Sequence, residues 1–119
     1  MKTLSAVVLL IGLVFVHGLA AETGFGTAAI VVSIDATAKT ITFKHTDSKG
    51  AWKQTAATWD DKTTWARAEQ QIWDATPATV ALAKDLKKDS KIYLMVNDRG
   101  GKTFWIESLK TIPPSFEVK

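Results

Sequence analysis

Residues 28–46 read AAIVVSIDATAKTITFKHT, and this stretch decides the fold. From Ala28 to Asp35, the side chains Ile30, Val32 and Ile34 recur at every second position. That is the period of a strand with one apolar face. From Thr40 to Thr46 the alternation returns, with Ile41, Phe43 and His45 against Thr40, Thr42 and Lys44. Ala36-Thr37-Ala38-Lys39 is a short polar connection between them, so the two runs predict a β-hairpin.

Toward the C-terminus, Asp47-Ser48-Lys49-Gly50 reads as a turn, with Gly50 suited to a positive φ. Residues 51–59 form a third strand rich in Ala and Thr, and Asp60-Asp61-Lys62 is the next turn. Residues 63–77 admit two readings. Trp65, Ala68/Glu69, Ile72 and Trp73 approximate helical spacing, yet Trp65 and Trp73 also suit two extended arms of an excursion. Thr76-Pro77 then opens a short helix, since Pro is tolerated in a first turn. Val80, Leu82 and Leu86 face the core from it, and Lys87-Lys88 suit its C-terminal end. Residues 91–97 are a fourth strand with Ile92, Leu94 and Val96 on one face. Residues 98–102, with Gly100-Gly101, form a hairpin loop. Residues 103–111 are a fifth strand with Phe104 and Ile106 in phase, stopped by Pro113-Pro114.

Three strands, a connection with a short helix, then two strands is the order of an all-β, five-stranded OB-like Greek-key barrel. Spacing alone also permits an SH3-like barrel. The helix between the third and fourth strands favours OB. The barrel is assigned to residues 28–112, with 21–27 a loose lead-in and 113–119 a loose tail.

The N-terminus carries a different signal. Lys2 precedes an apolar run from Val7 to Val16, and Gly18 and Ala20 fit the small-x-small cleavage rule. Residues 1–20 therefore read as a secretory signal peptide cut after Ala20, with an uncleaved anchor as the alternative. The run of roughly ten residues is short of the ~20 that cross a bilayer. After cleavage the protein is expected to be periplasmic or secreted, and not membrane-spanning. The chain has 15 Lys+Arg against 12 Asp+Glu, well mixed, and no run of like charge. Together with the compartment, this argues against nucleic acid as a partner. With no cysteine, disulfides, thiolate metal sites, a Cys nucleophile and lipoprotein anchoring are excluded.

Segments Val32-Ser33-Ile34-Asp35, Lys39-Thr40-Ile41-Thr42-Phe43-Lys44-His45 and residues 81–92 (ALAKDLKKDSKI) carry a resemblance. Together they resemble small secreted OB-like domains, the fold family of the periplasmic copper/silver chaperones. The resemblance implies that fold, and it implies Cu(I) or Ag(I) as a ligand. In that family a His, a Met-x-Met step and a capping Trp hold the ion, because soft thioethers select it and the Trp face attracts a cation. His45 matches the family His, and Trp52 falls near the capping Trp. The Met-x-Met step has no counterpart: the region reads Lys53-Gln54-Thr55-Ala56-Ala57, and the one Met beyond the leader is Met95.

His45 and Trp52 are thus the candidate metal residues, against the plainer reading of His45 as a strand-end residue at the barrel rim. Of the five Trp, Trp65 and Trp73 lie in the stretch that looks added to the barrel. They are the candidates for a partner surface, the partner being an envelope protein or a small ligand. Ser33, Ser48, Ser90, Ser108 and Ser115 have no neighbouring base, and no nucleophile-elbow or phosphate-binding motif occurs. The expectation is a non-enzymatic binding or accessory protein with no resident cofactor; the alternative is a metal-binding protein of the copper/silver chaperone type.

Overall fold

The computed structural model describes residues 23–68, 70 and 73–118. The proposed leader, residues 1–20, lies outside the described residues, as do 21 and 22. Among these described residues, seven strands and one 3-10 helix follow in order: β1 (Gly24–Asp35), β2 (Thr40–Thr46), β3 (Trp52–Thr58), β4 (Thr64–Arg67), β5 (Thr76–Ala78), the helix (Val80–Asp85), β6 (Lys91–Asn97) and β7 (Trp105–Thr111). The chain is all-β. Five of the strands are those expected, and β4 and β5 are additional.

The sheet order is β3-β2-β1-β6-β7-β4-β5, and a further pairing joins β3 to β7. That pairing, Thr58 opposite Trp105 and parallel, turns β1, β2, β3, β7 and β6 into a five-stranded ring. Phe43, Ile41, Ile92, Leu94 and Ile106 are fully buried inside it. Just past β3, Thr63 fastens the next corner to β7. Its hydroxyl donates to the Ile106 carbonyl at 2.6 Å and accepts from the Asp60 N–H at 3.1 Å.

β1 departs from its expected phase. Ala29 and Val31 are buried, rather than Ile30 and Val32. A bulge then places Val31 opposite Phe43 and Ser33 opposite Thr42, with Val32 left over. The extra residue shifts the alternation by one, so Ile34 again packs on the core. β1 also starts at Gly24, not Ala28: Gly24 to Thr27 pair with Asn97 to Leu94, so the supposed lead-in is strand. At the other end the tail is tied down. The Lys91 ammonium donates to the carbonyls of Pro114 and Phe116, both at 2.6 Å, and Ile112 and Val118 are buried.

The described parts of residues 63–77 favour the extended reading. β4 runs parallel to β7, with Trp65 opposite Leu109, and antiparallel to β5, with Ala66 opposite Pro77. Pro77 therefore sits on an edge strand, where a missing N–H costs no ladder bond, and does not open the helix. The helix begins three residues later. The Thr79 hydroxyl caps it by accepting from the Ala81 N–H at 3.3 Å. Its tighter winding buries Leu82 but leaves Val80 half exposed, contrary to the expected core face. Among the described residues, no helix is long and apolar enough to cross a membrane.

Candidate functional site

His45 ends the inward-facing row Ile41, Phe43, His45 of β2 and is 6% exposed. Its ring stacks on Phe25 at 5.3 Å between centroids and lies 5.3 Å from the tilted ring of Phe43. Phe25 in turn meets Phe104 edge-on at 5.6 Å. These rings plug one mouth of the ring of strands. The imidazole Nε2 is hydrogen-bonded to the Thr55 hydroxyl across the β2–β3 hairpin, at 2.9 Å.

Trp52 does not join this group. Thr46 pairs with Trp52 and His45 with Lys53. Side chains alternate across a sheet, so Trp52 shares the outer face with Lys44 and Thr46, opposite His45. It is half exposed, and the Lys44 ammonium lies 5.8 Å from its ring centre. The register of this hairpin is set by its turn. The Asp47 carboxylate accepts from the Lys49 and Ala51 N–H groups, and Gly50 takes φ +84°. Met95 also faces outward, from β6 opposite Gly26. The candidate donors are thus one buried imidazole bonded to a hydroxyl, with the indole and the thioether on other surfaces. Among the described residues no three His, Asp or Glu side chains gather around a common point. This set does not fit a soft monovalent ion, which needs sulfur beside the nitrogen.

The structure also separates Trp65 from Trp73. Trp65 is 7% exposed and meets Trp59 edge-on at 5.8 Å, so it belongs to the core. Its partners on β7 turn it inward, which removes it as a surface candidate. Trp73 is 77% exposed and stands between β4 and β5, outside the ring.

Sequence reasoning missed Arg99, which sits in the β6–β7 loop at φ +51°. Its guanidinium donates to Asp60 at 2.8 Å and to both Glu107 oxygens at 3.0 and 3.3 Å. It also lies 4.9 Å from the Trp105 ring centre. Hydrogen bonding to Arg99 holds the Asp60 carboxyl below the usual carboxylate range, and Asp60 and Glu107 push the guanidinium upward. Asp47 and Asp98 are lowered by backbone N–H donors, Ala51 and Lys49 for the first, Thr23 and Gly100 for the second. Asp60 is therefore a turn residue and an anchor for Arg99. Its sequence context disclosed the turn; the ion pair spans 39 residues and left no local trace.

A second feature absent from the sequence reading is an apolar depression between the Ala36–Lys39 turn and the 3-10 helix, with Trp59 at its base. The turn is built by Asp35, whose carboxylate accepts from the Thr37 and Ala38 N–H groups at 3.0 Å each.

No family model matches the chain, and no curated protein matches it either. Solved structures do. A structure of CusF with Ag(I) from Escherichia coli superposes with a TM-score of 0.52 at 15% identity, over 78% of this chain and 96% of that one. Apo-CusF from the same organism gives 0.50 at 16% identity, over 93% and 98%. A crystal structure of Ag(I)-CusF gives 0.51 at 13%, over 75% and 97%. The resemblance read from residues 32–45 and 81–92 therefore holds for the fold, which this degree of identity shows alone.

Proposed function

We propose that this chain is a non-enzymatic binding or accessory domain of the OB-like barrel class, working in the periplasm or outside the cell. The observation that carries the reading is Trp73. An indole 77% exposed, in a segment the five-stranded ring does not need, adds little to the fold. Tryptophan is enriched among the residues that dominate protein interfaces, where a large rigid ring fills a partner's pocket. The N-terminal leader pattern supports the compartment. The partner in this reading is an envelope or extracellular protein.

A photoreactive phenylalanine analogue at position 73, in the full chain within its producing cell, tests this. The same analogue at exposed Lys62 is the control. A discrete light-dependent adduct from position 73 alone is expected. No adduct, or the same adduct from both positions, refutes it.

A second reading, a periplasmic metal-binding protein of the copper/silver chaperone type, is favoured by the likeness to CusF with Ag(I) and by the place of His45 on β2. The separation of His45, Trp52 and Met95 weighs against it. Titration with Ag(I), followed by Trp fluorescence with a His45→Ala control, decides. The geometry leads to a flat response; saturable one-to-one quenching that His45→Ala abolishes would reinstate the metal.

A further inference from the structure

The depression beneath the 3-10 helix encloses about 350 Å³, at the small end of the range for small-molecule sites. Ala36, Ala81, Ala83 and Val80 line it around Trp59. Val80 is 52% exposed here, although its apolar side chain would be expected in the core. The one hydroxyl in the lining, that of Thr79, is already engaged as the helix cap.

Both charged residues in the lining, Lys39 and Lys84, are cations. The acids nearest to them in sequence, Asp85 next to Lys84 and Asp35 four residues before Lys39, have other partners. Asp85 bonds Arg67 at 2.7 Å, and Asp35 accepts the N–H groups of its own turn. Lys39 is also held in an unusual backbone state. Its φ is +59°, a region that favours glycine, and its carbonyl accepts from the Trp59 N–H at 2.9 Å. A lysine thus stands where the backbone would prefer a residue without a side chain, fastened to the residue that floors the depression.

We propose that this depression binds a small free carboxylate with an apolar body, an aromatic acid of one or two rings or a short branched aliphatic acid. The body covers Val80 and lies against the sliver of the otherwise buried Trp59 that reaches the lining, and the carboxylate lies between the ammonium groups of Lys39 and Lys84. Apolar walls with cations as their charged groups match an amphipathic anion and disfavour sugars, metal cations and amines. The site shares no residue with Trp73 or with the mouth at His45, so this proposal and the partner reading fail independently.

The test is calorimetric titration of the purified protein with 2-naphthoate and with 2-naphthamide, its neutral analogue. NMR shifts of the Val80 methyls and the Trp59 indole locate the contact. We expect saturable one-to-one binding of 2-naphthoate, with the amide about five-fold weaker, the combined effect of two exposed ion pairs. In the Lys39→Gln/Lys84→Gln double variant the two affinities become equal. Ala81→Trp, at an exposed position where folding is not at risk, fills the depression and abolishes both. No saturable binding at millimolar ligand overturns the proposal. Equal affinities in the unaltered protein, or binding that survives Ala81→Trp, overturn it as well.

Discussion

Trp65 and Trp73 lie eight residues apart in one segment, and the structure gives them opposite roles. Trp65 is 7% exposed and packs edge-on against Trp59; Trp73 is 77% exposed. A buried tryptophan removes about 150–250 Å² from water, worth roughly 4–6 kcal/mol at about 25 cal/mol per Å². Alanine keeps a fraction of that contact and leaves a cavity, so Trp65→Ala is expected to cost about 3–5 kcal/mol. Trp73→Ala removes little packing and is expected to stay within about 0.5 kcal/mol of the parent. With a urea m-value of about 1.5 kcal/mol/M, the first change lowers the unfolding midpoint by about 2–3 M and the second by less than about 0.4 M. The assay is equilibrium urea unfolding followed by far-UV circular dichroism, which does not depend on the Trp removed. If Trp65→Ala fails to fold, Trp65→Leu serves, with a smaller loss of the same sign. Equal shifts for the two positions, or a larger one for Trp73, would refute the inward orientation of β4. The edge-to-face geometry adds a finer test. A double-mutant cycle on Trp59 and Trp65 should return about 0.5–1.5 kcal/mol of coupling.

Other outcomes follow from single residues. The folded-state pKa of Asp60 is depressed below its unfolded value, chiefly by Arg99. Its contribution is therefore complete above the unfolded pKa of about 3.9 and is lost as pH falls through the lower folded value. Asp60→Asn should flatten the stability profile below about pH 4, as measured by urea midpoints from pH 2 to 7; an unchanged acid limb would disprove the pairing. Gly50 has φ +84° and nothing near the position a Cβ would take, so Gly50→Ala should cost about 1 kcal/mol through backbone strain alone. Lys39→Gly, at φ +59°, should leave stability unchanged or raise it by about 0.5 kcal/mol while weakening 2-naphthoate binding. A clear loss of stability in Lys39→Gly would show that its side chain has a structural role.

Much of the fold was readable locally. β2 and β6 fall on the residues that the period-two pattern marks, 40–46 and 91–97. The turns at Asp47 and Asp60 are built by the aspartates that signalled them. The chain order of the five ring strands also emerged, because each of them advertises itself within a few residues; β4 and β5 did not. The site was less legible. His45 stands where the resemblance put it, on β2, but Trp52 is on the other face. The register Thr46 opposite Trp52 was implicit in the turn length, and with it the opposition of the two side chains.

The amino-acid sequence by itself determined the five strands of the ring and the turns at 47–50, 60–62 and 98–102, because backbone preference and apolar alternation act over two to five residues; β4 and β5 carry no such local pattern. Only the tertiary structure decided the phase of β1 and the inward side of β4. The leftover residue at Val32 re-phases β1, with Val31 opposite Phe43 and Ser33 opposite Thr42 of the neighbouring strand. Trp65 is buried because β4 pairs with β7, more than forty residues away. An inward or outward orientation depends on the partner strand, and the partner is set by ring closure, which no local window contains.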